Sequence, residues 1–153
     1  MDFFTPQNVE VFRQILLALL LGALIGTERH LAGKEAGMRT FALVSMGSAI
    51  FTIMSVHSLN ESIAGQIVTG VGFIGAGVII FDHTRLRGIT TAAGLWVSAA
   101  VGMTVGFQMY GMAVFASVLA LLTFIFFWSL ESASDKLLTY NKDGTKRRHP
   151  HQE

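Results

Sequence analysis

The sequence predicts an all-α, polytopic membrane protein of five transmembrane helices, with the N-terminus outside and the C-terminus inside. Three observations carry that expectation: the composition, the long uncharged stretches and the one-sided placement of basic residues. Of 153 residues, 52% are hydrophobic and 14% charged, against about 25% charged in an average soluble protein. Mean hydropathy is +0.55. A soluble domain this small needs more polar surface than the chain supplies. That excludes an ordinary soluble enzyme, a disordered tail and a coiled coil. There is no cysteine, hence no disulfide framework, thiolate metal site or cysteine nucleophile. A net charge of +1 is too small to argue for a nucleic-acid partner.

The spans follow in order from the uncharged stretches. Thr5-Pro6 reads as an N-cap and first helical residue, and Gln14 to Thr27 carries no charge. A first span is expected near 7–27, with Glu10 and Arg13 in the headgroup layer. A cleaved signal peptide is not expected, because Met1 to Glu10 has no basic residue. Thr40–Asn60 and Ser62–Phe81 are also free of Asp, Glu, Lys and Arg. Each suits the ~20 helical residues that cross a ~30 Å hydrocarbon core, giving spans near 39–57 and 64–82. Gly88–Leu130 is uncharged throughout and would run about 65 Å as one helix. It must fold back, and Gln108-Met109-Tyr110-Gly111 is the corner, giving spans near 89–107 and 110–130. The membrane domain is therefore 1–131, followed by a short basic tail, 132–153.

Orientation comes from lysine and arginine. The first loop holds Arg29, Lys34 and Arg39, the third Arg85 and Arg87, and the tail Lys136, Lys142, Lys146, Arg147 and Arg148; the second loop and the fourth corner hold none. Loops one and three and the tail are expected in the cytoplasm, with Arg13 the exception.

Glycine is concentrated inside the spans. Gly22 and Gly26 on span one, and Gly102 and Gly106 on span four, have the four-residue spacing that lets helix backbones approach closely in lipid. Span three carries Gly70, Gly72, Gly75 and Gly77, which predicts a central helix touched on more than one side. Two readings stand: bundle packing, or carbonyls exposed along a permeation path. Gly70-Val71-Gly72-Phe73-Ile74-Gly75 also matches a dinucleotide-binding pattern. It lies inside an uncharged stretch, not at the strand-to-helix turn that this chemistry needs.

Spans two to five hold no ionisable interior residue, which argues against a proton relay or voltage sensor. Ion handling would fall to span ends, hydroxyls and backbone carbonyls. A hard cation such as Mg²⁺ takes oxygen ligands, usually one or two carboxylates plus retained waters. One polar cluster runs from Gly26 to Thr40 and contains Glu28, Arg29, Glu35 and Arg39. Its two readings are a solvated loop that sets orientation, with Glu35 and Arg39 pairing if locally helical, and a carboxylate site at the cytoplasmic mouth. A second cluster contains Asp82, Arg85, Arg87, Thr90 and Thr91. Asp82 ends span three on the same side as Glu28, or pairs with Arg85 or Arg87. Thr90 and Thr91 open span four, where a hydroxyl can cap free amides. Glu28, Asp82 and Glu35 are the candidate metal ligands. No nucleophile, base and orienting acid can be assembled, so an enzyme is not expected. His149 and His151 sit in a basic terminus suited to anionic lipid, at ~1 kcal/mol per basic residue near the surface.

Three blocks in order carry a family resemblance. They are Leu21-Gly22-Ala23-Leu24-Ile25-Gly26-Thr27-Glu28-Arg29 with Ala36-Gly37-Met38-Arg39-Thr40, then Gln66 to Ile79, then Arg87-Gly88-Ile89-Thr90-Thr91-Ala92-Ala93-Gly94-Leu95-Trp96. Together they resemble the bacterial MgtC/SapB family. The resemblance implies a small multi-pass protein of the bacterial inner membrane, associated with magnesium limitation, acid tolerance and virulence. It implies that Glu28, Arg29, Arg39, Asp82, Arg87 and Thr91 are the motif's polar residues. Many family members carry a soluble C-terminal domain; with 23 residues after Leu130, none is expected here. The expected function is Mg²⁺ or ion homeostasis, with an oligomeric cation pathway and carboxylates at the cytoplasmic ends of spans one and three. The alternative is a non-transporting regulator that binds another membrane protein through glycine-rich helix faces. The expected partners are the bilayer and further copies of the chain, with no cofactor other than Mg²⁺.

Overall fold

A computed structural model of the chain describes residues 5–82 and 85–146; for Asp82, Arg85 and 131–146 the description is of the backbone. Among the described residues the order is α1 (Pro6–Leu31), α2 (Met38–His57), α3 (Glu61–Gly77), β1 (Ile80–Asp82), β2 (Arg85–Arg87), α4 (Ile89–Gly106) and α5 (Tyr110–Lys146). One compact unit, Met1–Leu121, holds everything up to the first turns of α5. A second, Leu122–Glu153, contains the rest of that helix; there Ile125, Phe126, Phe127 and Trp128 are all about half exposed.

Local chemistry explains the helix ends. The Thr5 hydroxyl accepts the Asn8 N–H at 3.3 Å, and Pro6 opens α1, where its missing N–H leaves no partner unsatisfied. After Leu31 the chain turns through Gly33 at φ +63°, and the Lys34 amide returns to the Arg29 carbonyl at 3.0 Å. Asn60 caps α3 by accepting the Ser62 N–H at 3.2 Å. The corner between α4 and α5 places Gln108 at φ +62°.

Three helices and the Tyr110–Leu130 part of α5 are long and apolar enough to cross a membrane: α1, α2 and α4. The third helix is shorter than the uncharged stretch suggested. It ends at Gly77, not near 82, and residues 80–82 form a strand that pairs antiparallel with 85–87, Phe81 opposite Leu86. The apolar run suits helix and strand alike, whereas Arg85-Leu86-Arg87 has the period of a strand. Gly88 closes the excursion at φ +85°; a Cβ there would stand 2.0 Å from the Val78 carbonyl oxygen, so only glycine fits.

The bundle is inverted relative to a soluble protein. Many of its buried positions are small or hydroxylated, among them Ala18, Gly22, Ser45, Ala49, Thr52, Ser98 and Gly102, packed around a few larger side chains such as Ile25, Phe41 and Leu95. Its exposed positions are large and apolar, such as Leu16, Leu20 and Leu24 along one stripe of α1. This is the pattern of helices held by close backbone approach in lipid, which offers no hydrophobic drive between them. A Cβ at Gly22 would lie 2.6 Å from the Phe41 carbonyl oxygen, one at Gly26 2.7 Å from Met38 Cα, one at Gly102 2.0 Å from the Ser45 carbonyl oxygen, and one at Gly106 2.6 Å from Thr52 Cβ. Helix α2 is thus gripped from both sides, by α1 and by α4. The Ser98 hydroxyl adds a bond to the Phe41 carbonyl at 2.8 Å.

Helix α3 is not the central helix its glycines suggested. It packs through Ile67 and Val71 against Ala99, Val44 and Met103. Among the described residues nothing comes within 4 Å of a Cβ built at Gly65, Gly70, Gly72 or Gly77, and Gly75 makes only ordinary contact with Ala92, at 3.6 Å. An open groove of about 760 Å³ runs between α2 and α3. The Gly70–Gly75 pattern is helical throughout, so it forms no nucleotide-binding turn.

Candidate functional site

The polar groups gather where α1 ends, α2 begins and the hairpin hands over to α4. Arg29 occupies the last turn of α1 and is 3% exposed. Its Nε and Nη2 both donate to the Glu28 carboxylate, the latter at 2.8 Å. This two-pronged pair matches the planar geometry that makes arginine–carboxylate contacts strong. It also means that the Glu28 charge is already matched by a buried cation. Thr27 turns its hydroxyl back on the Ala23 carbonyl at 2.8 Å.

The loop after α1 carries the exposed Glu35. Its Oε2 accepts the hydroxyl of Thr91, a residue 56 positions away and 1% exposed, at 2.9 Å. The Glu35 carboxyl is held below its usual range. Its own backbone N–H is the largest cause, then the Thr91 hydroxyl, with the charges of Arg87 and Lys34 adding less and partial desolvation opposing. Donors that favour the ionised form lower a carboxyl pKa. Glu35 is therefore a charged, solvent-facing carboxylate at neutral pH, steadied from beneath by the first turn of α4.

This geometry replaces two local pairings. Residues 32–37 are not helical, so Glu35 and Arg39 lose the i,i+4 relation; the carboxylate bonds Thr91 instead. The N-cap of α4 is Gly88, with no side-chain cap, because the helix starts two residues before Thr91. Thr90 is exposed within the first turn. Arg87 ends β2 and faces the Glu35 charge; Arg39 lies exposed in the first turn of α2. The carboxylate of Asp82, and the basic tail side chains with His149 and His151, lie outside the described residues. No group of three or more His, Asp or Glu that could hold a metal occurs among the described residues.

Two polar features escaped the sequence reading. About 27 Å along α1 from Glu28, the Tyr110 hydroxyl donates to Glu10 Oε1 at 2.5 Å and accepts from Gln14 Nε2 at 3.2 Å, while Arg13 pairs with Glu10 at 3.4 Å. No sequence spacing signals contacts 96 and 100 residues apart. Ser45, Ser48, Thr52 and Ser55 are all buried on α2, and among the described residues the Ser45 hydroxyl has no hydrogen-bond partner. Their 3–4-residue recurrence is the signal that would have found them.

Residues 15–133 match the MgtC family. The chain belongs to that family. It is 44% identical over 132 residues to the protein named "Putative magnesium transporter YhiD" in Escherichia coli (strain K12), covering 78% of this chain and 61% of that one. It is 41% identical over 138 residues to Protein MgtC of Salmonella typhimurium (strain LT2), covering 87% and 58%. An uncharacterized protein of Haemophilus influenzae is 35% identical over 134 residues, covering 78% and 56%. This MgtC-family chain thus spans about 60% of the length of these relatives. No solved structure matches it. Helices of this length and composition, in this family, make it a multi-pass membrane protein.

Proposed function

We propose that this is a non-enzymatic inner-membrane protein of magnesium homeostasis, crossing the bilayer five times with its N-terminus outside. The supporting observation is the identity of 44% and 41% to proteins named for magnesium transport and as MgtC. The α3 segment crosses as a 17-residue helix of about 26 Å, with the hairpin completing the passage to the cytoplasmic face. On this reading Arg29, Lys34, Arg39 and Arg87 share that face, as the basic-residue rule requires.

Copies of the chain assemble, and Mg²⁺ is the cargo. The carboxylates Glu28, Glu35 and Asp82 stand at the cytoplasmic mouth, with distinct roles. Glu28 is engaged by Arg29 and fixes the end of α1. Glu35 stays ionised and exposed, and it retains acceptor capacity beyond the Thr91 bond. It is the better candidate to meet a hydrated divalent ion, which is commonly held through one or two carboxylates and its own waters. Purified protein in liposomes should pass Mg²⁺ above the level of empty vesicles, and Glu35→Gln or Asp82→Asn should reduce that flux several-fold. Flux no greater than in empty vesicles would remove direct transport.

One observation favours a second reading, a non-transporting regulator of another membrane protein. A Cβ built at Gly72 or Gly77 on α3 would meet no atom of another element within 4 Å among the described residues, and small residues of this kind let a foreign helix approach. Gly72→Leu would then abolish a crosslinked complex with that partner while leaving membrane insertion intact. Crosslinks to the chain's own copies alone would refute it.

A further inference from the structure

We propose that the groove between α2 and α3 holds one acyl chain of an anionic phospholipid, whose headgroup rests on Arg39. This lipid site is independent of whether the protein carries magnesium. The groove is lined by Leu43, Gly47 and Phe51 of α2 and by Ile67, Gly70 and Ile74 of α3, with Arg39 at one end. Its volume of about 760 Å³ falls within the ~300–1,000 Å³ of small-molecule sites. Glycine makes the space: among the described residues a Cβ at Gly47 or Gly70 would meet nothing within 4 Å.

Charge and length select the occupant. Arg39 is exposed, no acidic residue lines the groove, and among the described residues no carboxylate pairs with it. It stands where a basic-residue count places the cytoplasmic headgroups, and basic pockets between membrane helices on that side suit anionic headgroups. From Arg39 to Phe51 the lining covers about 18 Å of helix, close to the ~15 Å of one leaflet of a ~30 Å core. An acyl chain fits that length. A transmembrane helix of ~20 residues, about 30 Å long, would overrun it.

The test uses the full chain in mild detergent, with phosphatidylglycerol and phosphatidylcholine of the same acyl composition added together and adducts read by native mass spectrometry. Phosphatidylglycerol should be retained about fivefold over phosphatidylcholine, matching ~1 kcal/mol for one basic residue near the surface. Arg39→Gln should bring the two lipids close to parity. Gly70→Leu fills the groove and leaves the basic tail untouched; it should reduce the phosphatidylglycerol adduct several-fold, which locates that lipid away from the tail. Equal retention by the wild-type chain would overturn the site, as would adducts that neither substitution changes. A mass of two chains that Gly70→Leu converts to one would also overturn it, by assigning the groove to a second copy.

Discussion

Gly102 and Gly72 are the same residue in two helices of similar composition, yet they serve opposite purposes. A Cβ at Gly102 would lie 2.0 Å from the Ser45 carbonyl oxygen, whereas one at Gly72 would meet nothing within 4 Å among the described residues. The difference lies in the partner. Helix α2 offers α1 and α4 a face that includes Ser45, Ala49 and Thr52, small enough for backbones to close on. Helix α3 touches its neighbours through Ile67 and Val71, whose branched side chains hold the helices apart, so that among the described residues Gly65, Gly72 and Gly77 have room for a Cβ. Glycine spacing therefore marks where a close approach is permitted; the facing helix decides whether it happens.

The contrast can be broken by substitution. Gly102→Leu should have the largest effect, since carbonyl and side chain cannot share the space: no monodisperse protein should be recovered in detergent by size-exclusion chromatography. Arg29→Gln should come next. It leaves Glu28 at the buried end of α1 without its guanidinium, and removing one partner of a buried pair costs about 3–5 kcal/mol. Chemical unfolding in detergent should show that loss, and Glu28→Gln added to it should restore part of it. A well-behaved Arg29→Gln protein of unchanged stability would mean that the pair does not hold the helix end.

Smaller effects sharpen the picture at the site. The Glu35 pKa is lowered in the folded chain, so its contribution to stability is complete above the unfolded value of 4.5 and disappears as pH falls through the lower folded value. The thermal midpoint should drop over that acid window in the wild type. Thr91→Val removes one of the two donors and should flatten the drop slightly, and Glu35→Gln should flatten it by the whole of the Glu35 contribution. A slope identical in all three proteins would refute the contact. Gly72→Ala should do least, shifting unfolding by at most about 1 kcal/mol and in the stabilising direction, because alanine restricts the unfolded chain and meets no obstacle.

The four helical stretches long and apolar enough to cross a membrane were legible, because lipid imposes a simple demand, about 20 residues without charge. α1, α2 and α4 begin and end within a few residues of where charge and caps place them. The exit of α3 was not legible from hydropathy, since Val78 to Phe81 are apolar whether helical or extended; only the alternation in Arg85-Leu86-Arg87 pointed to a strand. At the site, the sequence brought forward Glu28, Glu35 and Thr91 as candidates. It could not say that Glu28 is taken by its own neighbour Arg29 while Glu35 reaches across to α4.

Composition and charge order alone determined that this chain is a membrane protein with its basic residues gathered at alternate helix ends, because dehydrating charge is so costly that their positions are forced. Which carboxylate is neutralised, which glycines touch and where the bundle stays open were decided only by the tertiary structure. These depend on contacts between residues 56 to 100 positions apart, and no local pattern encodes which helix face meets which.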